Sequence, residues 1–205
     1  MSKPRKGKSR SIGKVLHILF EDKKSSRFYV QGYKKDKGYG NNINLQPHLH
    51  TDPKSLVNDA KKIKQGNPAD EVWVVYDAES EGQRDVNSQH APAWQNAKDM
   101  NINLAISSVS YEFWIFLHYK YSTKFFNESN DLEKYIRENH CAEYDKADVN
   151  IYIKLKGRLE EARKNAKKLE QFNITNNSDK KAYTINPYTD FHKLLQAIDD
   201  FISNA

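Results

Sequence analysis

The chain has 205 residues, enough for one substantial hydrophobic core with or without a helical annex, and too few for two full domains. Hydrophobic content is 38% and charged content 29%, yet twelve Tyr, nine Phe and three Trp supply the large side chains of a packed interior, which excludes a disordered chain. Lys3, Arg5, Lys6, Lys8 and Arg10 place five charges of the net +6 in the first ten residues, so the body is close to neutral and the arm suits either phosphate binding or plain solvation.

After residues 1–13, a basic arm expected to be disordered, residues 14–20 form an apolar strand that runs straight into Glu21 and Asp22. Residues 25–32 follow as a helix, with Ser25 at its start and Phe28, Tyr29 and Tyr33 at helical spacing. Gly38, Gly40, Asn41 and Asn42 mark a loop, and residues 43–49 alternate as a second strand. Asp52 is a natural N-cap with Pro53 at the first helical position, and the helix it starts ends by Gly66. Residues 71–77 are a third, continuously apolar strand of the kind buried on both faces, and it ends abruptly in Asp77 and Glu79.

A polar loop over residues 80–86, a helix over 91–100 and a fourth strand over 103–107 complete a β-α-β-α-β-α-β alternation. That alternation predicts an α/β fold: a mainly parallel four-stranded central sheet with helices on both faces. Beyond it the chain reads as a helical C-terminal part. A short, very apolar helix over 110–118 packs beneath the sheet edge, further helices cover 131–139, 147–172 and 188–203, and an Asn-rich loop covers 173–179. The expected organisation is a single domain over 14–205, with an α/β core to about 120 and a helical extension from about 121.

The lone Cys141 cannot form an internal disulfide, and no apolar run approaches the roughly 20 residues of a membrane span. A cytoplasmic protein without membrane contact is expected.

Glu21, Asp77 and Glu79 each leave an apolar strand at its carboxyl end, the rim where open α/β sheets gather ligands. The first and third strands are commonly close neighbours, which would bring three carboxylates together. Crowded carboxylates usually share a divalent cation, Mg²⁺ foremost, or one of them serves as a general base. Solvated turn acids or N-caps would explain the same residues. Lys23 and Lys24 follow Glu21 directly and can neutralise a phosphate, with Ser25, Ser26 and the helix N-terminus as further contacts.

Glu112 sits in the most apolar helix, where it either caps that helix, pairs with a basic residue or serves the site. His118 and His192 read as packing histidines or as phosphate and proton-transfer groups. His48 and His50 share a strand face but lack a third zinc ligand of fitting spacing. Lys154, Lys156, Arg158, Arg163, Lys164, Lys167 and Lys168 make the long helix basic, as a solvated face or as a guide for nucleic acid.

Five segments resemble the RloB-like family in order. Residues 16–25, LHILFEDKKS, resemble an apolar strand leading to E-G-E-K-T-E, and residues 51–57, TDPKSLV, resemble T-D-P-x-S-L-V. Residues 70–79, DEVWVVYDAE, resemble D-E-V-W-x-V-F-D-x-D; residues 111–119, YEFWIFLHY, resemble F-E-L-W-L-L-L-H-F; and Asn186, Pro187 and Thr189 with His192 resemble the closing N-P-S-T-x-x-H.

The resemblance implies a Toprim-like three-layer sandwich and a site in which Glu21, Asp77 and Glu79 bind Mg²⁺, with Mn²⁺ as substitute, and Lys24 assists. It implies a metal-dependent nuclease, on RNA such as tRNA, acting in bacterial anti-phage defence by abortive infection beside an ABC-type ATPase partner. The alternative it leaves is a catalytically inactive Toprim-like sensor or regulatory subunit that binds the ATPase or nucleic acid, and a homo-oligomer is compatible with either. Asp22 stands where the family has glycine, Lys23 and Ser26 where it has glutamates, and Glu79 where it has aspartate. If the turn at Asp22 demands positive φ, aspartate tolerates it better than most residues.

Overall fold

A computed structural model describes residues 13–47, 50–78 and 86–203. In chain order these form β1 (Leu16–Phe20), α1 (Ser25–Asp36), β2 (Ile43–Leu45), α2 (Pro53–Gly66), β3 (Glu71–Asp77), α3 (Val86–Asp99) and β4 (Asn103–Ser108). They continue with α4 (Glu112–Leu117), α5 (Ser129–Asn139), α6 (Ile151–Leu155), α7 (Leu159–Asn176), β5 (Tyr188–Thr189) and α8 (Phe191–Ser203). Of the expected basic arm, all but Gly13 lies outside the described residues, as does His48.

Among the described residues the sheet has five strands in the order β2-β1-β3-β4-β5, rather than the expected four. The first four are parallel, and β1 and β3 lie side by side with Phe20 opposite Val75. The fifth is antiparallel to β4, with Ser107 opposite Thr189. Two residues are too few to give an alternation signal, so this segment reads from sequence as the start of the last helix, which in fact begins at Phe191.

The strands are buried on both faces, and successive residues divide between two cores. Trp73, Val75 and Ala105 point toward α1 and the C-terminal helices. Val72, Val74, Tyr76 and Ile106 point toward α2 and α3. Helices therefore cover both faces of the sheet, in three layers. All six residues of α4 are buried, as expected of a helix apolar on every side, and it lies inside the larger core.

Other boundaries differ from the sequence reading for local reasons. Residues 43–49 give a strand of only three residues, followed by Pro47, which has no N–H to donate. Helix α1 runs through Gly32 to Asp36, because the missing side chain is where α6 packs: a Cβ at Gly32 would stand 2.7 Å from Tyr152 Cβ. Helix α3 starts at Val86 and contains Pro92. The predicted 147–172 helix is broken by a 3-10 turn, Lys156–Arg158. Helix α7 instead continues through Asn173, whose Nδ2 donates to the Pro187 carbonyl at 3.0 Å. No helix among the described residues is long and apolar enough to cross a membrane.

Candidate functional site

The rim of the sheet is shaped by unequal strand lengths. Strand β3 extends two residues beyond the point where Phe20 closes β1, so Glu21 leaves β1 beside the last turn of β3. The Glu21 N–H donates to the Val75 carbonyl at 2.9 Å, and the Asp77 N–H donates back to Glu21 Oε2 at 2.7 Å. Two adjacent strands are thus clasped through the side chain that ends one of them.

A cleft of about 430 Å³ opens over this clasp. Glu21, Asp22, Lys23, Lys24, Ser25 and Asp77 line it from the sheet side. Ser110 and Glu112 line it from the start of α4, and Ser129, Glu133 and Lys146 from the helical extension. Thr51 completes it ahead of α2.

Asp22 occupies the family glycine position without positive φ; among the described non-glycine residues only Asn101 has one. Its carboxylate organises the turn into α1. It accepts the Lys24 N–H at 2.8 Å, the Ser25 hydroxyl at 3.3 Å and, more distantly, the Ser26 N–H at 3.5 Å. Ser26 is buried and does not line the cleft.

Asp77 keeps part of its surface open to the cleft and is otherwise enclosed. Burial, and then the negative charges of Glu21, Glu112 and Asp22, push its carboxyl well above the usual carboxylate range. Glu112 is buried and accepts the Tyr144 hydroxyl at 3.1 Å, and it shares the Ser25 hydroxyl with Asp22, at 3.5 Å. Burial, reinforced by Glu133, raises its pKa as well. Glu133 is itself buried and takes Lys146 Nζ at 3.0 Å and Arg137 at 3.4 Å.

Glu21, Lys23, Lys24, Ser25, Asp77 and Glu112 are therefore brought to one cleft, while the expected Glu79 lies outside the described residues. The two histidines are placed elsewhere. His118 is buried among Tyr29 and Trp114: its Nδ1–H donates to the Trp114 carbonyl at 3.0 Å, which leaves Nε2 to accept the Tyr29 hydroxyl at 2.8 Å. His192 pairs with Glu170 at 3.3 Å near the other edge of the sheet. His50 pairs with Asp59 at 3.2 Å. Among the described residues, no group of three or more His, Cys, Asp or Glu side chains is gathered closely enough to hold a metal ion. Glu133, Lys146 and Ser129 carry no sequence signal for the site, because only the packing of the extension brings them there.

A family model described as RloB-like protein matches residues 16–198. No curated protein and no solved structure matches the chain. The match covers every strand of the sheet and every wall of the cleft.

Proposed function

Because the chain belongs to the RloB-like family, we propose that it is a metal-dependent nuclease that hydrolyses phosphodiester bonds, in RNA such as tRNA, as the effector of an anti-phage system with an ABC-type ATPase partner. The observation that carries this reading is the pairing of Glu21 and Asp77 on adjacent parallel strands in the cleft that Lys23 and Lys24 also line.

Glu21 and Asp77 have the donor chemistry for a hard divalent cation. Their donors are oxygens, and the like charges that raise the Asp77 pKa would be relieved by a cation bound among them. Glu21, Asp77 and Glu79 would hold Mg²⁺, or Mn²⁺ in its place. Such an ion supplies polarisation of a phosphate oxygen and acidification of a bound water.

The chain's own groups divide the remaining work. Lys24, with Lys23, binds the phosphate and balances its charge. Two N–H groups at the start of α1 are already engaged by Asp22, so phosphate binding falls on lysine side chains more than on the helix terminus. Glu112 is buried and accepts the Tyr144 hydroxyl at 3.1 Å, so its part in the cleft is to hold neighbouring groups in place.

The test is cleavage of a tRNA pool in Mg²⁺ by purified protein, with and without the ATPase partner. Wild type is expected to cut in at least one condition, and Glu21→Ala and Asp77→Ala in none. A pool left intact by wild type in every condition removes the nuclease reading.

The non-catalytic reading, a sensor or regulatory subunit that binds the ATPase or nucleic acid, draws support from Glu21 Oε2, which is already committed to the Asp77 N–H. Calorimetric titration with Mg²⁺ and Mn²⁺ separates the two. Saturable binding that is lost in Asp77→Ala favours the nuclease.

A further inference from the structure

A second cavity, of about 410 Å³, opens at the β5 edge of the sheet, where that strand meets α3 and the C-terminal half of α7. Its chemistry is unlike that of the acidic cleft. Trp94 contributes a half-buried indole, set edge-to-face against Tyr183 with ring centroids 5.8 Å apart, and Ile174 an apolar side chain that is 57% exposed. Lys193 is engaged within the wall, 2.7 Å from Glu170 and 2.8 Å from Asp190. Lys180 and Lys181 are exposed at the cavity, and neither forms a salt bridge among the described residues. Asn177 donates its Nδ2 to Asn173 at 3.1 Å, which orients its amide and leaves Asn177 Oδ1 without a protein donor among the described residues.

A flat aromatic surface, an oriented amide and two unpaired cations are the three elements that recognise a base and its phosphate. An acidic peptide would use the lysines but not the indole, and an acyl chain would use the indole but not the lysines. We infer that this cavity binds a nucleotide, with the base against Trp94 and the phosphate at Lys180 and Lys181.

The cavity is joined to the rim of the cleft through the sheet. Tyr188 lines it and pairs with Ser108, whose hydroxyl donates to the carbonyl of Ala78, next to Asp77. Two strand spacings, about 10 Å, therefore separate β5, at this cavity, from β3, which ends in Asp77. The cavity and the cleft lie on one sheet, so the nucleotide is either free or one unit of a strand that also reaches Asp77. The second source rests on the nuclease reading; the binding site does not.

Trp73 and Trp114 are buried, so quenching of intrinsic fluorescence by a nucleotide reports Trp94. The full chain is titrated in EDTA with AMP and, separately, with a six-nucleotide oligoadenylate RNA. Saturable quenching is expected, absent in Trp94→Phe, and shifted to roughly tenfold weaker affinity in the Lys180→Ala/Lys181→Ala double variant. Both lysines are exposed, and circular dichroism checks that the double variant keeps the wild-type fold. Saturation by AMP assigns a free nucleotide, and saturation by the RNA alone assigns a unit of a strand. No saturable quenching by either ligand, or an affinity indifferent to the lysines, overturns the proposal. Quenching in a protein that cuts no RNA leaves this site standing and removes only the nuclease reading.

Discussion

Glu21 Oε2 accepts the backbone N–H of Asp77 at 2.7 Å, so one residue of the proposed metal pair also locks the other in place. The two roles separate by substitution. Glu21→Gln keeps an oxygen acceptor for the N–H and removes the charge; it should bind Mn²⁺ poorly while losing little stability. Glu21→Ala removes both and leaves the N–H with no side-chain acceptor, at a cost of about 1–3 kcal/mol. Urea unfolding and Mn²⁺ titration on both variants make the comparison. Equal stability of the two would show that the clasp contributes nothing.

Gly32→Ala reverses the usual helix rule. Alanine inside a helix is ordinarily more favourable than glycine by about 1 kcal/mol. At Gly32 the new methyl would stand 2.7 Å from Tyr152 Cβ, so α1 and α6 must move apart. Overpacking of this kind costs about 1–3 kcal/mol, and the variant should melt below wild type. A raised melting temperature would mean that α6 does not sit tightly against α1.

How much of this was legible in the sequence follows from where each signal resides. The run into Asp77 and the run into Glu21 are local patterns, and first and third strands are commonly neighbours in sheets of this kind, so these two residues could be paired from sequence. Glu133 and Lys146 could not, because their place depends on how the extension folds back over α4. Gly32 reads as a helix end only because its packing partner lies 120 residues later, at Tyr152. His118 stands in a motif, yet its two hydrogen bonds tie it into the aromatic core.

That core position makes His118 a source of acid sensitivity. Burial, the largest cause, lowers its pKa to about 4, against about 6.5 in the unfolded chain. Above pH 6.5 both states hold the ring neutral and the residue has no effect. As pH falls from about 6.5 toward 4 the unfolded state takes up the proton first, so stability is lost across that window, by at most about 3 kcal/mol. Burial lowers His90 to about 4 as well, and it adds to the same window. His118→Gln should lose less stability than wild type between pH 7 and pH 5, read as the shift in urea midpoint. An equal shift in both proteins would rule His118 out as a source.

Lys146 reaches the cleft from the extension, held 3.0 Å from the buried Glu133. Hydrogen bonding to Glu133 raises its pKa, so it remains charged at neutral pH. Its side chain is 53% exposed, so losing the ion pair in Lys146→Met should change stability by no more than about 1 kcal/mol. Its effect on nucleic acid should be larger. If Lys146 meets a phosphate in the cleft, its removal releases one fewer counterion, and the slope of the salt dependence of single-stranded RNA binding should fall by about 0.7. Fluorescence anisotropy of a labelled single-stranded RNA, measured at several salt concentrations without divalent metal, gives that slope. Glu133→Gln keeps the lysine charged but loosens its hold, so it should weaken binding while leaving the slope near wild type. A wild-type slope in Lys146→Met would place the phosphate path on Lys23 and Lys24 alone.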